Sequence, residues 1–134
     1  MSYELKAAVI TALKADPAVS ALVGSRIYGR PPADAVMPYV SIGPTEEADA
    51  SAEGIPAQEV TLQLDVWSAG TGEAYSDAEA SKIAGAIRKA LHDTDLDLAT
   101  TGLVLLQHRI TRIVRDPDGI THHAIVTLVA TVED

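Results

Sequence analysis

Four histidines, at positions 92, 108, 122 and 123, are the first side chains to weigh as metal ligands or general bases. His122 and His123 are consecutive in a segment that alternates as a strand, so they leave opposite faces and cannot share an ion. His108 lies on the facing strand, too far along it to chelate with His122. No Asp or Glu stands at ligand spacing to any of them, and packed or surface imidazoles are the expected outcome. The chain contains no cysteine, which excludes disulfides, thiolate metal sites and cysteine nucleophiles. Ser68 and Ser81 lack the strand-turn-helix motif that exposes a serine nucleophile. Gly70-Thr71-Gly72 ahead of a helical segment could hold an anion on its amides, but no lysine follows at phosphate-loop spacing, and a flexible strand-to-helix turn is the plainer reading. The carboxylates Glu46, Glu47, Asp49 and Glu53 fall in the run TEEADASAEGI, whose small, acidic, non-periodic composition predicts a mobile loop over Thr45 to Gly54. A mobile loop is a poor place to hold a general acid and base. No catalytic group, cofactor or metal follows from these residues.

Charge narrows the partners. The formal net charge is -9, from 19 acidic and 10 basic residues, which argues against a nucleic-acid-binding module. One tryptophan, four tyrosines and no phenylalanine leave no base-stacking platform. No apolar run approaches the ~18 residues of a membrane span, and the chain reads as soluble and unexported. Arg109, Arg112 and Arg115 concentrate basic charge on one strand, with Arg109 and Arg115 expected on its polar face and Arg112 on the other. This is either ordinary edge charge that discourages aggregation, or a strip that docks on the acidic segment of a neighbouring subunit.

The elements that would position these groups follow from periodicity. Leu5, Val9, Ala12 and Leu13 make a helical stripe over Tyr3 to Ala15, and Asp16-Pro17 caps and opens a short helix that Gly24 ends. Arg26-Ile27-Tyr28 and Pro38 to Gly43 are extended. Val60, Leu62, Leu64 and Val66 alternate with Thr61, Gln63, Asp65 and Trp67, the clearest strand in the chain. A helix over Glu73 to Leu91 presents Ala80, Ile83, Ala84, Ile87, Ala90 and Leu91. Leu103 to Val132 then forms a hairpin that turns at Asp116-Pro117-Asp118-Gly119, a three-residue connection that would place Asp116 opposite Ile120. In that register Val114 faces His122, Arg112 faces Ala124, Ile110 faces Val126, His108 faces Leu128 and Leu106 faces Ala130. The even positions form the core face. Ile113, Ile125 and Val129 lie on the outer face beside Arg109 and Arg115, a half-apolar strip that calls for a covering partner.

The expected fold is a single α+β domain over residues 1–134: a two-layer sandwich with a mainly antiparallel sheet of four to five strands and two main helices on one face. No internal repeat or linker interrupts it.

Arg26-Ile27-Tyr28, Pro38-Tyr39-Val40-Ser41-Ile42-Gly43, Leu64-Asp65-Val66-Trp67-Ser68, Ile87-Arg88-Lys89-Ala90-Leu91 and Arg115-Asp116-Pro117-Asp118-Gly119-Ile120-Thr121-His122, in this order and spacing, resemble the tail-completion or tail-terminator proteins of long-tailed phages, prophages and gene transfer agents. The resemblance runs from the first helix to Val132, and Ala69 to Ser76 is longer than the family's usual turn. It implies a structural protein, not an enzyme. Such a protein forms a six-membered ring on the last ring of the tail tube, stops tube growth and receives the head connector, while DNA passes through the ring without specific binding. It implies a place at the tail-neck junction of a virion or phage-like particle, assembled in the bacterial cytoplasm. Glu46, Glu47, Asp49, Glu53, Arg109, Ile113, Arg115, Ile125 and Val129 are then the interface candidates. Two other classes stay open: another neck protein, such as a head-completion or adaptor protein, and a small oligomeric enzyme whose site, between subunits, uses His108, His122 or the arginines.

Overall fold

A computed structural model describes residues 2–69, 76–98 and 102–133. The elements run α1 (Ser2–Ala15), α2 (Pro17–Val23), β1 (Ile27–Tyr28), β2 (Tyr39–Asp49), β3 (Ala57–Ser68), α3 (Ala78–Leu91), β4 (Gly102–Arg115) and β5 (His122–Glu133). They build an α+β fold whose five-stranded sheet is ordered β1-β2-β3-β5-β4. Its pairings are antiparallel except for β1, which runs parallel to Val40 and Ser41 of β2.

The core follows from two periodicities. Leu5, Val9 and Leu13 repeat every four residues on α1, and Ala80, Ile83, Ala84, Ile87 and Leu91 make the stripe of α3. On β3 and β5 the period is two: Val60, Leu62, Leu64 and Val66 pack with Ala124, Val126, Leu128, Ala130 and Val132 in one cluster with both helical stripes. The short helix α2 starts where expected, because the Asp16 carboxylate accepts the Val19 amide at 3.0 Å and Pro17 needs no donor. Gly24 closes it with a positive φ, its amide donating to the Ser20 carbonyl.

Three local expectations need correction. The run read as a mobile loop is strand: β2 continues past a register shift at Gly43-Pro44 and pairs Thr45 with Leu62, Glu46 with Thr61, Glu47 with Val60 and Asp49 with Gln58. Pairing to β3 overrides the composition, and the acidic side chains remain exposed. Only the tip turns, closed by an Ala52–Ile55 bridge, with Glu53 at a φ of 48°. Secondly, α3 begins at Ala78. Glu73 to Tyr75 and the Gly70-Thr71-Gly72 segment lie outside the described residues.

The third correction concerns the hairpin register. The Asp118 carboxylate accepts the Ile120 and Thr121 amides, each at 2.8 Å, and the Thr121 hydroxyl at 2.6 Å. Ile120 is thereby drawn into the loop, and Asp116 pairs with Thr121 instead, its amide donating to the Thr121 carbonyl at 2.8 Å. The loop has four residues, not three. Arg115 therefore faces His122, Val114 faces His123, Ile113 faces Ala124 and Arg112 faces Ile125. A bulge between His108 and Ile110 takes up the extra residue and restores the expected pairs His108–Leu128 and Leu106–Ala130. Between turn and bulge the faces of β4 are thus inverted relative to the sequence expectation. Ile113 packs on the core, while Ile110 and Val114 face outward at 47% and 37% exposure.

Candidate assembly surface

The charged interface candidates sort onto opposite sides of the sheet. Glu46, Glu47 and Asp49 are exposed on β2, and Glu53 stands on the turn beyond them. Asp49 accepts the Ser51 hydroxyl at 2.8 Å, which stiffens the start of that turn. Arg109, Arg112 and Arg115 are exposed on β4. Two strands, β3 and β5, separate the acidic strand from the basic one, so the fold does not bring these charges together within one chain.

The placement of individual candidates departs from the sequence reading. Arg109 is the extra residue of the bulge, and Arg115 sits beside the buried His122 on the core side. Arg112, expected on the core face, instead shares the outer face with Ile125. Ile125 and Val129 do lie on the outer face, but both are half-buried because β5 is an interior strand. Ile113 is withdrawn from the outer strip. Its place is taken by Ile110 and Val114, each more than a third exposed.

Both edges are partly covered. On β2, β1 occupies Val40 and Ser41. On β4, the Asp93 amide donates to the Leu106 carbonyl at 2.9 Å and the His108 amide donates to His92 Nδ1 at 3.0 Å, so the chain after α3 covers the edge there. The named strands pair in the order β1-β2-β3-β5-β4, which leaves β4 as the last strand on its side and β2 past Ser41 without β1 beside it.

The histidines are packed within the fold or beside its edge. His108 Nε2 lies 2.7 Å from the Thr111 hydroxyl, and partial burial, followed by the neighbouring Arg88 and His92 charges, holds its pKa below the ordinary imidazole value. His122 is buried in the core layer. Among the described residues no three His, Asp or Glu side chains converge as a metal site. Asp118 is held below the ordinary carboxylate range, first by the Thr121 hydroxyl and then by the Thr121 and Ile120 amides.

One cluster escaped sequence reasoning. His123 Nε2 lies 2.7 Å from Asp65 Oδ1, which also accepts Gln63 Nε2 at 2.8 Å, and the His123 ring stacks on Trp67 at 3.9 Å between centroids. Gly43 makes room for it, since a Cβ there would come within 2.5 Å of Asp65 Oδ2. Gln63, Asp65 and Trp67 alternate onto one face in the sequence, but their meeting with His123 required the β3–β5 register. The cluster is a polar seam on the outer face that ties β3 to β5, with Gly43 of β2 lying against it.

No curated protein sequence matches the chain. A chain in the virion of a native gene transfer agent particle is similar at 30% identity and a TM-score of 0.87, over 97% of this chain and 95% of that one. The gp17 protein of bacteriophage SPP1 is similar at 25% identity and a TM-score of 0.64, over 97% of this chain and 89% of that one. Residues 7–133 match the family described as Tail completion protein gp17. The chain belongs to that tail completion family and is a structural protein of a phage-type tail.

Proposed function

We propose that the protein assembles as a homohexameric ring on the last ring of the tail tube, ends tube growth there, and presents the surface on which the head connector docks. The observation that carries this reading is the charge division of the sheet, acidic along β2 and basic along β4, on opposite edges. Opposite charges on opposite edges are satisfied head to tail by further copies, and a head-to-tail contact either closes into a ring or grows without end. Residues 1–134 act as one domain in this ring. Glu46, Glu47, Asp49 and Glu53 on one copy, and Arg109, Arg112 and Arg115 on the next, are the polar contacts, with Ile125 and Val129 on the adjoining outer face. A chain of net charge -9 suits a lumen through which DNA slides without adhering. Assembly takes place in the bacterial cytoplasm, and the finished location is the tail-neck junction of a virion or phage-like particle.

The test is removal of the protein from cells that produce the particle. Tubes of uncontrolled length and heads without tails are expected by electron microscopy. Tails of normal length, joined normally to heads, would overturn the proposal.

A further inference from the structure

We infer that consecutive copies are joined by continuation of the sheet, the exposed part of β2 on one copy pairing antiparallel with the exposed part of β4 on the next. This rests on the ring reading and specifies its joint.

The two edges are similar in length and opposite in charge. On β2 the span left by β1 and the turn is Ile42 to Asp49. On β4 the span left by the His92–Asp93 cover and the turn is Arg109 to Arg115. The spans are eight and seven residues long by these bounds. Direction follows from the topology: β4 is antiparallel to β5, β5 to β3 and β3 to β2, so β4 runs opposite to β2. A copy related by rotation keeps that sense, which makes the joint antiparallel. Aligning the two spans from Asp49 and Arg109, their ends at the β2 turn and the β4 bulge, puts Glu46 opposite Arg112, Ala48 opposite Ile110 and Asp49 opposite Arg109. Faces agree as well. Glu46 and Arg112 are both outer-face residues, through their pairing with Thr61 and Ile125 respectively. Opposite charges directly across an antiparallel pair are the favourable arrangement, and the joint would bury edge amides that otherwise invite uncontrolled pairing.

The stagger also fits a closed ring. Within one copy Glu46 is level with Val129, through Thr61, whereas Arg112 is level with Ile125. Joining them slides the next copy by four residues, about 13 Å at ~3.3 Å per residue. The four strands β2, β3, β5 and β4 span roughly 19 Å at ~4.8 Å per strand, so the slide corresponds to a tilt of about 35°, within the range of closed sheets.

The absence of native cysteine allows a direct test. In purified particles, Glu46→Cys combined with Arg112→Cys should give, under mild oxidation, a ladder of disulfide-linked multiples of the chain. Either single variant, or Glu46→Cys with Val114→Cys two positions out of register, should give at least about tenfold less, because a disulfide needs Cα atoms roughly 4.4–6.8 Å apart. Particles that carry a six-copy ring but give no ladder overturn the edge joint and leave the ring standing. Particles without a ring overturn both.

A second measurement uses charge. Glu46→Lys with Glu47→Lys makes both edges basic, and Arg109→Glu with Arg112→Glu makes both acidic. Each variant alone, checked for folding by circular dichroism, should assemble at least about tenfold more weakly than the unaltered chain, and an equimolar mixture should recover assembly by alternating around the ring. Undiminished assembly of either variant alone, or folded variants that fail to recover on mixing, would overturn the joint. Should either variant unfold, the cysteine pair decides.

Discussion

Placing a lysine on β5 at adjacent positions should give opposite results. Val126 is fully buried between Leu64 and Thr111. Val126→Lys removes burial worth roughly 1.5–3 kcal/mol and puts an ammonium group into an apolar layer, at an effective cost of several kcal/mol. The sum approaches the whole stability of a domain this size, about 5–15 kcal/mol, so the variant should be unfolded or nearly so at 25 °C. Ile125, one residue earlier, is half-buried on the outer face between Asp65 and Arg112. A lysine there lays its stem over the same strip with its charge in water, costing about 1 kcal/mol or less, a fall of roughly 3–5 °C in melting temperature. Its penalty should instead appear in assembly, where a second cation stands beside Arg112. Circular dichroism melts give the first quantity and sedimentation the second. A cooperative melt for Val126→Lys close to that of the unaltered chain, or an unfolded Ile125→Lys, would refute the assignment of faces. Leu128→Lys and Val129→Lys should repeat the contrast one turn of the pleat further along.

Other perturbations address single features. Gly43→Ala should lower stability by about 1–3 kcal/mol, because its Cβ would displace the Asp65 carboxylate, and the loosened seam should register as a change in Trp67 fluorescence. Asp16→Ala should cost about 1 kcal/mol in chemical denaturation by removing the cap of α2. Because the folded chain holds His108 below its ordinary value of 6.5, the unfolded chain takes up that proton first; the contribution is whole above 6.5 and lost as pH falls through the folded value. Denaturation midpoints should therefore decline on acidification below about pH 6.5, and His108→Gln should lessen the decline. Asp118→Ala should speed hydrogen exchange at Ile120 and Thr121 while leaving Val60 to Val66 protected.

Much of the fold was legible because it rests on local signals. The alternation of Val60 to Val66, the stripe of α1 and the Asp16-Pro17 start of α2 each declare themselves within a few residues. What was not legible depends on partners distant in sequence or on a single turn. Glu46 to Asp49 has the composition of a loop and becomes strand only because Val60 and its neighbours pair with it. The register of β4 turned on whether Asp118 would capture the Thr121 amide, and nothing in the spacing of Arg112, Ile113 and Val114 revealed the bulge at Arg109. Hence the outer-face strip was anticipated in kind but assigned to Ile113 where the structure supplies Ile110 and Val114. The Asp65–His123 contact spans 58 residues and could not be read without the sheet order. The acidic and basic side chains proposed for the interface were named from the sequence, while their division between two opposite edges came only with the topology.

The most direct test of the central claim is the mass of the protein in solution, measured by sedimentation at several concentrations with and without tail-tube protein. The account predicts six copies bound as one unit at a tube end, with tube length fixed by their addition. A single copy per tube end, or tubes that grow unchanged in its presence, would contradict it.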